Sequence, residues 1–279
     1  MLEAGRVSAL DPRYTLGQYV HDSWSVQEGL PEGSVYAIHQ SADGYLWLGT
    51  QLGLLRFDGV RFAAVDETAL VAKRYSFVRD LLEGENGVMW AAASGGVARC
   101  AQDRVSLFDE HQGLTHPFVY ALAPGPSGSL WVGTGGAGVW QLRDGTFSRH
   151  PAYLQQPGLP ARVNDLTVDS HGTLWVATDG GVLALGTSVK RYTPADGLGS
   201  EVANVLLIDH VGTLWVGTRG GLARRIGERF RSYTVRDGLP HDDVSALLED
   251  RDGDLWIGTH DAGVARMVHG RFERPPAMH

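Results

Sequence analysis

The sequence predicts an all-β chain made of six repeated units, and three observations carry that expectation. A phrase of the form Leu-Trp-aliphatic-Gly-Thr stands at Leu46–Thr50, Leu130–Thr134, Leu214–Thr218 and Leu255–Thr259. A copy at Leu174–Thr178 has Ala177 in the glycine place, and a worn copy lies at Met89–Ala93. The six tryptophans, Trp47, Trp90, Trp131, Trp175, Trp215 and Trp256, are spaced 43, 41, 44, 40 and 41 residues apart. A fixed period of this size marks a repeat architecture. Glycine is abundant, 37 of 279 residues, which suits many tight turns rather than long helices.

In chain order, residues 1–13 read as a lead-in without pattern. Residues 18–26 alternate, with Tyr19 or Val20, Trp24 and Val26 as apolar members, and read as a strand. Six units follow, near 34–67, 76–110, 118–150, 162–195, 201–236 and 243–274. The fifth shows the plan: strands at Val202–Ile208, Thr213–Thr218, Leu222–Ile226 and Phe230–Val235, with turns at Val211-Gly212, Gly220-Gly221 and Gly227-Glu228. Four short strands in one period predict a propeller blade, so residues 14–279 form one β-propeller.

Glycine closes the first hairpin of every unit, at Gly44, Gly87, Gly128, Gly172, Gly212 and Gly253. Two-residue hairpin turns need a positive φ, which glycine adopts without steric cost. Tryptophan on the second strand supplies area where blades pack face to face. The glycine after it clears space for a neighbouring backbone. The stretch at 18–26 matches a fourth strand, because its trailing Glu28-Gly29-Leu30-Pro31 parallels Asp237-Gly238-Leu239-Pro240. The expectation is a seven-bladed ring in which 18–26 is the outer strand of a closing blade whose inner three strands are missing. The alternative is a six-bladed ring in which this strand displaces or flanks the weak last strand near Arg271–Arg274.

The totals exclude some classes. Net charge is −8, which opposes binding to nucleic acid or an anionic membrane through a simple field. No run approaches the ~18 apolar residues of a membrane helix, so direct membrane insertion is not expected. The single cysteine, Cys100, reads as a small buried residue. No signal peptide is visible at Met1–Leu10, so either the protein is cytoplasmic or its leader and any anchor lie outside this sequence.

The repeat resembles the two-component regulator propeller repeats of bacterial sensor proteins. The likeness rests on Asp43-Gly44-Tyr45-Leu46-Trp47-Leu48-Gly49-Thr50 with Gly53-Leu54-Leu55-Arg56, and on Asp252-Gly253-Asp254-Leu255-Trp256-Ile257-Gly258-Thr259 with Gly263-Val264-Ala265-Arg266. The opening Tyr19–Trp24 with Glu28–Pro31 also looks like the start of such regions. The second unit departs, with Ala91-Ala92-Ala93, which puts its local turn in question. The resemblance implies a periplasmic, non-catalytic sensor region that precedes a membrane helix and a histidine kinase or diguanylate cyclase output. It implies no cofactor. The partner is then a small molecule, a glycan or another protein, with a homodimer of the full-length sensor as a further option.

In a propeller, the loops between blades and the turns between second and third strands share one rim, here called the top. Ligands of propellers bind there by analogy. The between-blade candidates are Arg74, Tyr75, His116, Arg162, Glu201, His241, Asp242 and Asp243. The second-to-third turns add Gln51, Asp179, Arg219, His260 and Asp261. Their variety on a constant scaffold suits a binding face. No metal site is expected, and His241, Asp243 and His260 are the weak candidates for one.

Streptogramin lyases, propellers with a similar repeat and metal-assisted elimination, are the competing class. A sialidase is weaker, because Ser41–Gly44 lacks the Asp-box spacing. No nucleophile-elbow motif supports Ser-His-Asp catalysis. Gly135–Gly138 precedes no helix that would cradle phosphate. A pure protein-interaction propeller lacks its WD signature here.

Overall fold

A computed structural model of the protein describes residues 24–30, 34–65, 75–101 and 104–273. It is a propeller of six four-stranded antiparallel blades, each strand pairing with the next in sequence. Blade 1 holds β1 (Val35–Gln40), β2 (Leu46–Thr50), β3 (Leu54–Phe57) and β4 (Phe62–Ala64). Blade 2 holds β5 (Ser76–Glu83), β6 (Met89–Ser94), β7 (Gly96–Ala101) and β8 (Arg104–Phe108). Blade 3 holds β9 (Val119–Pro124), β10 (Leu130–Thr134), β11 (Val139–Arg143) and β12 (Thr146–Arg149). Blade 4 holds β13 (Val163–Val168), β14 (Leu174–Thr178), β15 (Gly181–Leu185) and β16 (Val189–Tyr192). Blade 5 holds β17 (Ala203–Ile208), β18 (Leu214–Thr218), β19 (Gly221–Ile226) and β20 (Arg229–Tyr233). Blade 6 holds β21 (Val244–Glu249), β22 (Leu255–Thr259), β23 (Gly263–Val268) and β24 (Arg271–Glu273). The one described α-helix, α1 (Pro151–Gln155), is a single turn between blades 3 and 4, capped by His150 accepting from the Ala152 N–H.

The first hairpins divide into two kinds. In blades 2 and 3 the expected two-residue turn forms, with positive φ at Asn86 and Gly87 and at Ser127 and Gly128. Blades 1, 4, 5 and 6 have a loop of the same length but set the tight turn one residue earlier. There the residue at its start, Ser41, Asp169, Asp209 or Asp250, accepts from the glycine N–H and closes the hairpin. Its side chain supplies the reason. Asp169 Oδ1 accepts from the His171 and Thr173 N–H groups, and Oδ2 accepts from the Trp175 indole at 2.9 Å. Asp209 and Asp250 hold Trp215 and Trp256 the same way.

The Thr that ends the second strand turns the chain again. Thr178 donates to the Gly181 carbonyl at 2.6 Å and accepts from the Gly180 N–H. Blade 2 has Ala93 there, and its turn closes on two glycines of positive φ, Gly95 and Gly96.

Blades stack through their faces. Trp175 packs against Ala203, Leu206, Leu214 and Phe230 of blade 5. The glycine after the tryptophan makes this approach possible. A Cβ on Gly49 would stand 2.6 Å from the Val78 carbonyl oxygen, and one on Gly133 would stand 2.5 Å from Val163 Cγ1. The arginine of the repeat lies opposite the tryptophan on the third strand and covers its ring, as Arg99 does over Trp90 and Arg224 over Trp215. In blade 4 this place is Ala184, and Arg225 of blade 5 covers Trp175 instead.

The inner strands pack in succession around the axis: β1 on β5, β5 on β9, β9 on β13, β13 on β17 and β17 on β21. Among the described residues β21 and β1 do not pack on each other in this way. The facing surfaces agree. Leu248 on blade 6 is 63% exposed and Ile38 on blade 1 is 67% exposed. The atoms nearest a Cβ on Gly258 belong to Ala246 of its own blade, at 3.1 Å and beyond.

Two expectations are corrected. Residues 18–23 lie outside the described residues, but 24–30 are not a strand. Val26–Glu28 forms a 3-10 turn, Trp24 meets Phe57 edge-on at 5.2 Å, and Leu30 is buried on the outward face of blade 1. In the six-bladed alternative the last strand would be displaced or flanked by the N-terminal stretch; it is β24, paired with β23 despite its three-residue length.

Candidate functional site at the mouth of the propeller axis

Each inner strand carries a β-bulge at the same place. In blade 1, Val35 pairs with Thr50 and Ala37 with Gly49, so Tyr36 has no partner. The same shift isolates Tyr120, Asn164, Asn204 and Ser245. In blade 2 it is longer, from Ser76 to Asp80, and includes Phe77 at φ 50 and Arg79. A bulge re-aims a side chain. Positive φ in a bulky residue costs ~1–3 kcal/mol and persists only where the surroundings enforce it. Here the Phe77 N–H bonds the Gln51 carbonyl of blade 1 at 3.0 Å. The six bulges therefore set a ring of six side chains at the top mouth of the axis.

The ring has two halves. Asn164 and Asn204 fasten blades together: Asn164 donates to Asp179 and to the Ala203 carbonyl, each at 2.8 Å, and Asn204 donates to Asp243 and to the Val244 carbonyl. On the side of blades 1 to 3 the residues stack instead. The Arg79 guanidinium lies over Tyr36 at 5.4 Å and over Tyr120 at 4.7 Å, and Arg162 lies over Tyr120 at 5.6 Å. Arg162 is matched by Asp179 at 3.4 Å. Arg79 is exposed and has no carboxylate partner among the described residues. Tyr36 is 41% exposed, and Phe118, 48% exposed, continues the aromatic surface toward His116 at 5.6 Å. The Gly135-Gly136 turn closes against Tyr120 and His116, where any side chain would collide.

One residue deeper, Asp80 and Asp165 occupy equivalent positions beside the bulge. Asp80 Oδ2 accepts from the Leu122 N–H of blade 3, and Asp165 Oδ2 from the Leu206 N–H of blade 5, both at 2.7 Å. Their other oxygens accept from Leu81 and Leu166. Burial pushes Asp80 up to about 6, against the pull of those N–H groups. Burial, with Asp80 nearby, pushes Asp165 up to about 8. The two backbone N–H groups on each carboxylate limit the rise.

The candidates named from sequence scatter over the top rim. Arg74 lies outside the described residues. Tyr75 does not line the rim: it is buried in the cluster of Trp47, Leu54 and Val78, because its ring fills the space between blades 1 and 2. His116 and Arg162 join the stacked side of the ring. Glu201 and Arg219 are exposed loop residues whose backbones brace Gly181 and Val202. Asp242 caps the Val235 N–H, and His241 Nδ1 accepts from the Asp243 N–H. His260 is exposed and lies 3.4 Å from Asp261. Among the described residues no three His, Cys, Asp or Glu side chains gather as a metal group, so His241, Asp243 and His260 are not brought together as one. Sequence reasoning passed over Tyr36, Arg79 and Tyr120. The available signal was an Arg-Asp pair, Arg79-Asp80, inside an otherwise apolar inner strand. A cavity of about 750 Å³ lies between blades 3 and 4, lined by Trp131, Gln141, Arg143 and His150, away from the ring.

The model of the two-component regulator propeller matches residues 29–51, 157–180 and 238–261, in blades 1, 4 and 6. The chain carries the two-component regulator propeller repeat. No curated protein matches the sequence. Among solved structures, this repeat chain is similar to the extracellular domain of a hybrid two component system from B. thetaiotaomicron, at 24% identity and TM-score 0.73, over 90% of this chain and 36% of that one. A second such domain from B. thetaiotaomicron matches at 18% identity and TM-score 0.69, over 88% and 33%. The propeller is also similar to virginiamycin B lyase from Staphylococcus aureus, at 15% identity and TM-score 0.67, over 88% and 85%. These are likenesses of fold. The chain spans about a third of the length of the two-component system domains. No helix among the described residues is long and apolar enough to cross a membrane.

Proposed function

We propose that this chain is a non-catalytic ligand-sensing propeller, the extracytoplasmic sensor portion of a bacterial signal-transduction protein with a histidine kinase or diguanylate cyclase output. The observation that carries the reading is the stacked half of the bulge ring, where Arg79 of blade 2 lies over Tyr36 of blade 1 and Tyr120 of blade 3 at the axis mouth. Aromatic and guanidinium groups gathered across three blades at one end of the axis are binding chemistry. The propeller repeat and the likeness to extracellular two-component system domains support the signalling context.

The fold likeness to virginiamycin B lyase keeps metal-assisted elimination as the rival. Streptogramin linearisation with Mg²⁺, with and without chelator, separates the two. The sensor reading expects no product and saturable calorimetric binding of a small molecule or glycan. Chelator-sensitive product formation overturns it.

A further inference from the structure

We infer that the stacked half of the ring binds an organic carboxylate that carries a flat apolar face, with Arg79 taking the carboxylate and Tyr36 and Tyr120 taking the face. This rests on the reading of the axis mouth as a ligand site and adds the class of ligand.

Stacking occupies the faces of a guanidinium and leaves its N–H edge free. That edge matches a carboxylate in two parallel bonds, where a lysine would offer only a point charge. Arg79 lies over two tyrosines, 5.4 Å from the Tyr36 ring and 4.7 Å from the Tyr120 ring, so its charge is held between them before any ligand arrives. The neighbouring charges do not consume it. Asp80 is turned toward blade 3, with both oxygens held by the Leu81 and Leu122 N–H groups, and Asp179 is engaged by Arg162 and Asn164. An unmatched cation in a chain of net charge −8 draws an anion to this spot. Tyr36, 41% exposed, extends flat apolar surface beside it.

Two sources share this chemistry: a uronic-acid sugar, whose ring presents a flat C–H face, and an aromatic acid. Calorimetry at ~150 mM salt, where long-range fields are screened, uses digalacturonate and ferulate, each beside its neutral counterpart, digalactose and coniferyl alcohol. The inference expects at least one acid to bind with 1:1 stoichiometry and its neutral counterpart at least ~10-fold more weakly. Arg79→Gln and Arg79→Ala should each weaken that acid ~10-fold or more. Arg162→Gln should change it less, because Asp179 already matches that charge. Circular dichroism and melting establish that the variants fold. Digalacturonate alone binding identifies the sugar source, and ferulate alone identifies the aromatic one. Equal binding of acid and neutral partner, lost in Tyr120→Ala, overturns the carboxylate inference and leaves the sensor reading standing. Acid binding unchanged in both Arg79 variants overturns it too. No binding by any of the four overturns the inference and counts against the sensor site with it.

Discussion

Trp175 donates its indole N–H to Asp169 Oδ2 at 2.9 Å, linking the second strand of blade 4 to the start of its own hairpin. The tryptophan that marks the repeat is therefore held on its polar edge by the turn and on its faces by the next blade. Asp169→Ala strips three donors of their acceptor: the His171 and Thr173 N–H groups and the indole. The expected loss is about 1–3 kcal/mol in urea unfolding, carried by the partly buried indole and Thr173 N–H more than by the exposed His171 N–H. Blades 2 and 3 have Gly84 and Gly125 at this place and turn differently, so the variant should stay folded.

The same carboxylate sets an acid limb. Burial pushes Asp169 up, but its bonds from Trp175, Thr173 and His171 outweigh that and hold its pKa below the ordinary value. A pKa lower in the folded state contributes stability above about pH 4, and that contribution is lost as pH falls through the folded value. Urea midpoints from pH 5 to pH 2.5 should drop less in Asp169→Ala than in the parent.

Asp165 acts in the opposite sense. Its folded pKa is raised to about 8, so the folded state holds the proton more tightly than the unfolded chain. Stability is then fullest below about pH 4 and declines as pH rises through the folded value. Unfolding free energy measured from pH 4.5 to 8.5 should slope downward in the parent and less in Asp165→Asn. Equal slopes would remove Asp165 as the cause.

The unpacked junction between blades 6 and 1 makes a paired prediction. Leu207 on blade 5 and Leu248 on blade 6 hold equivalent positions, one packed on the blade 6 cluster and one 63% exposed. Leu207→Ser should cost about 2 kcal/mol or more and Leu248→Ser within about 0.5 kcal/mol. Gly133→Ala should destabilise, since its Cβ would stand 2.5 Å from Val163, and Gly258→Ala should cost less, its Cβ meeting Ala246 at 3.1 Å. Comparable losses within either pair would mean that blade 6 is covered on that face in solution.

Much of the fold was legible because a propeller repeats its physics. Six tryptophans, six turn glycines and the Thr at the end of the second strand recur at fixed spacing, and each has one local task. The ring at the axis mouth was not legible in the same way. Tyr36, Arg79, Tyr120, Asn164, Asn204 and Ser245 share a register but no chemistry, and a bulge leaves no residue signature of its own. Tyr75 looked like a rim residue because it sits in a between-blade loop, yet its ring is drawn into the core by Trp47 and Val78. The residues 18–26 looked like a fourth strand because they alternate. Trp24 and Leu30 instead cover the outward face of blade 1, which needs apolar area rather than strand pairing.

The central claim is that the stacked side of the bulge ring is where a ligand sits. Fluorine NMR of protein labelled at its nine tyrosines with 3-fluorotyrosine, assigned by single Tyr→Phe variants, tests it directly. On titration with the acid that binds, the Tyr36 and Tyr120 resonances should move together and saturate, while Tyr192, buried between blades 4 and 5, stays fixed. Saturable binding that leaves both Tyr36 and Tyr120 unmoved would contradict the account and place the ligand elsewhere, with the cleft beside Trp131 and His150 the next place to look.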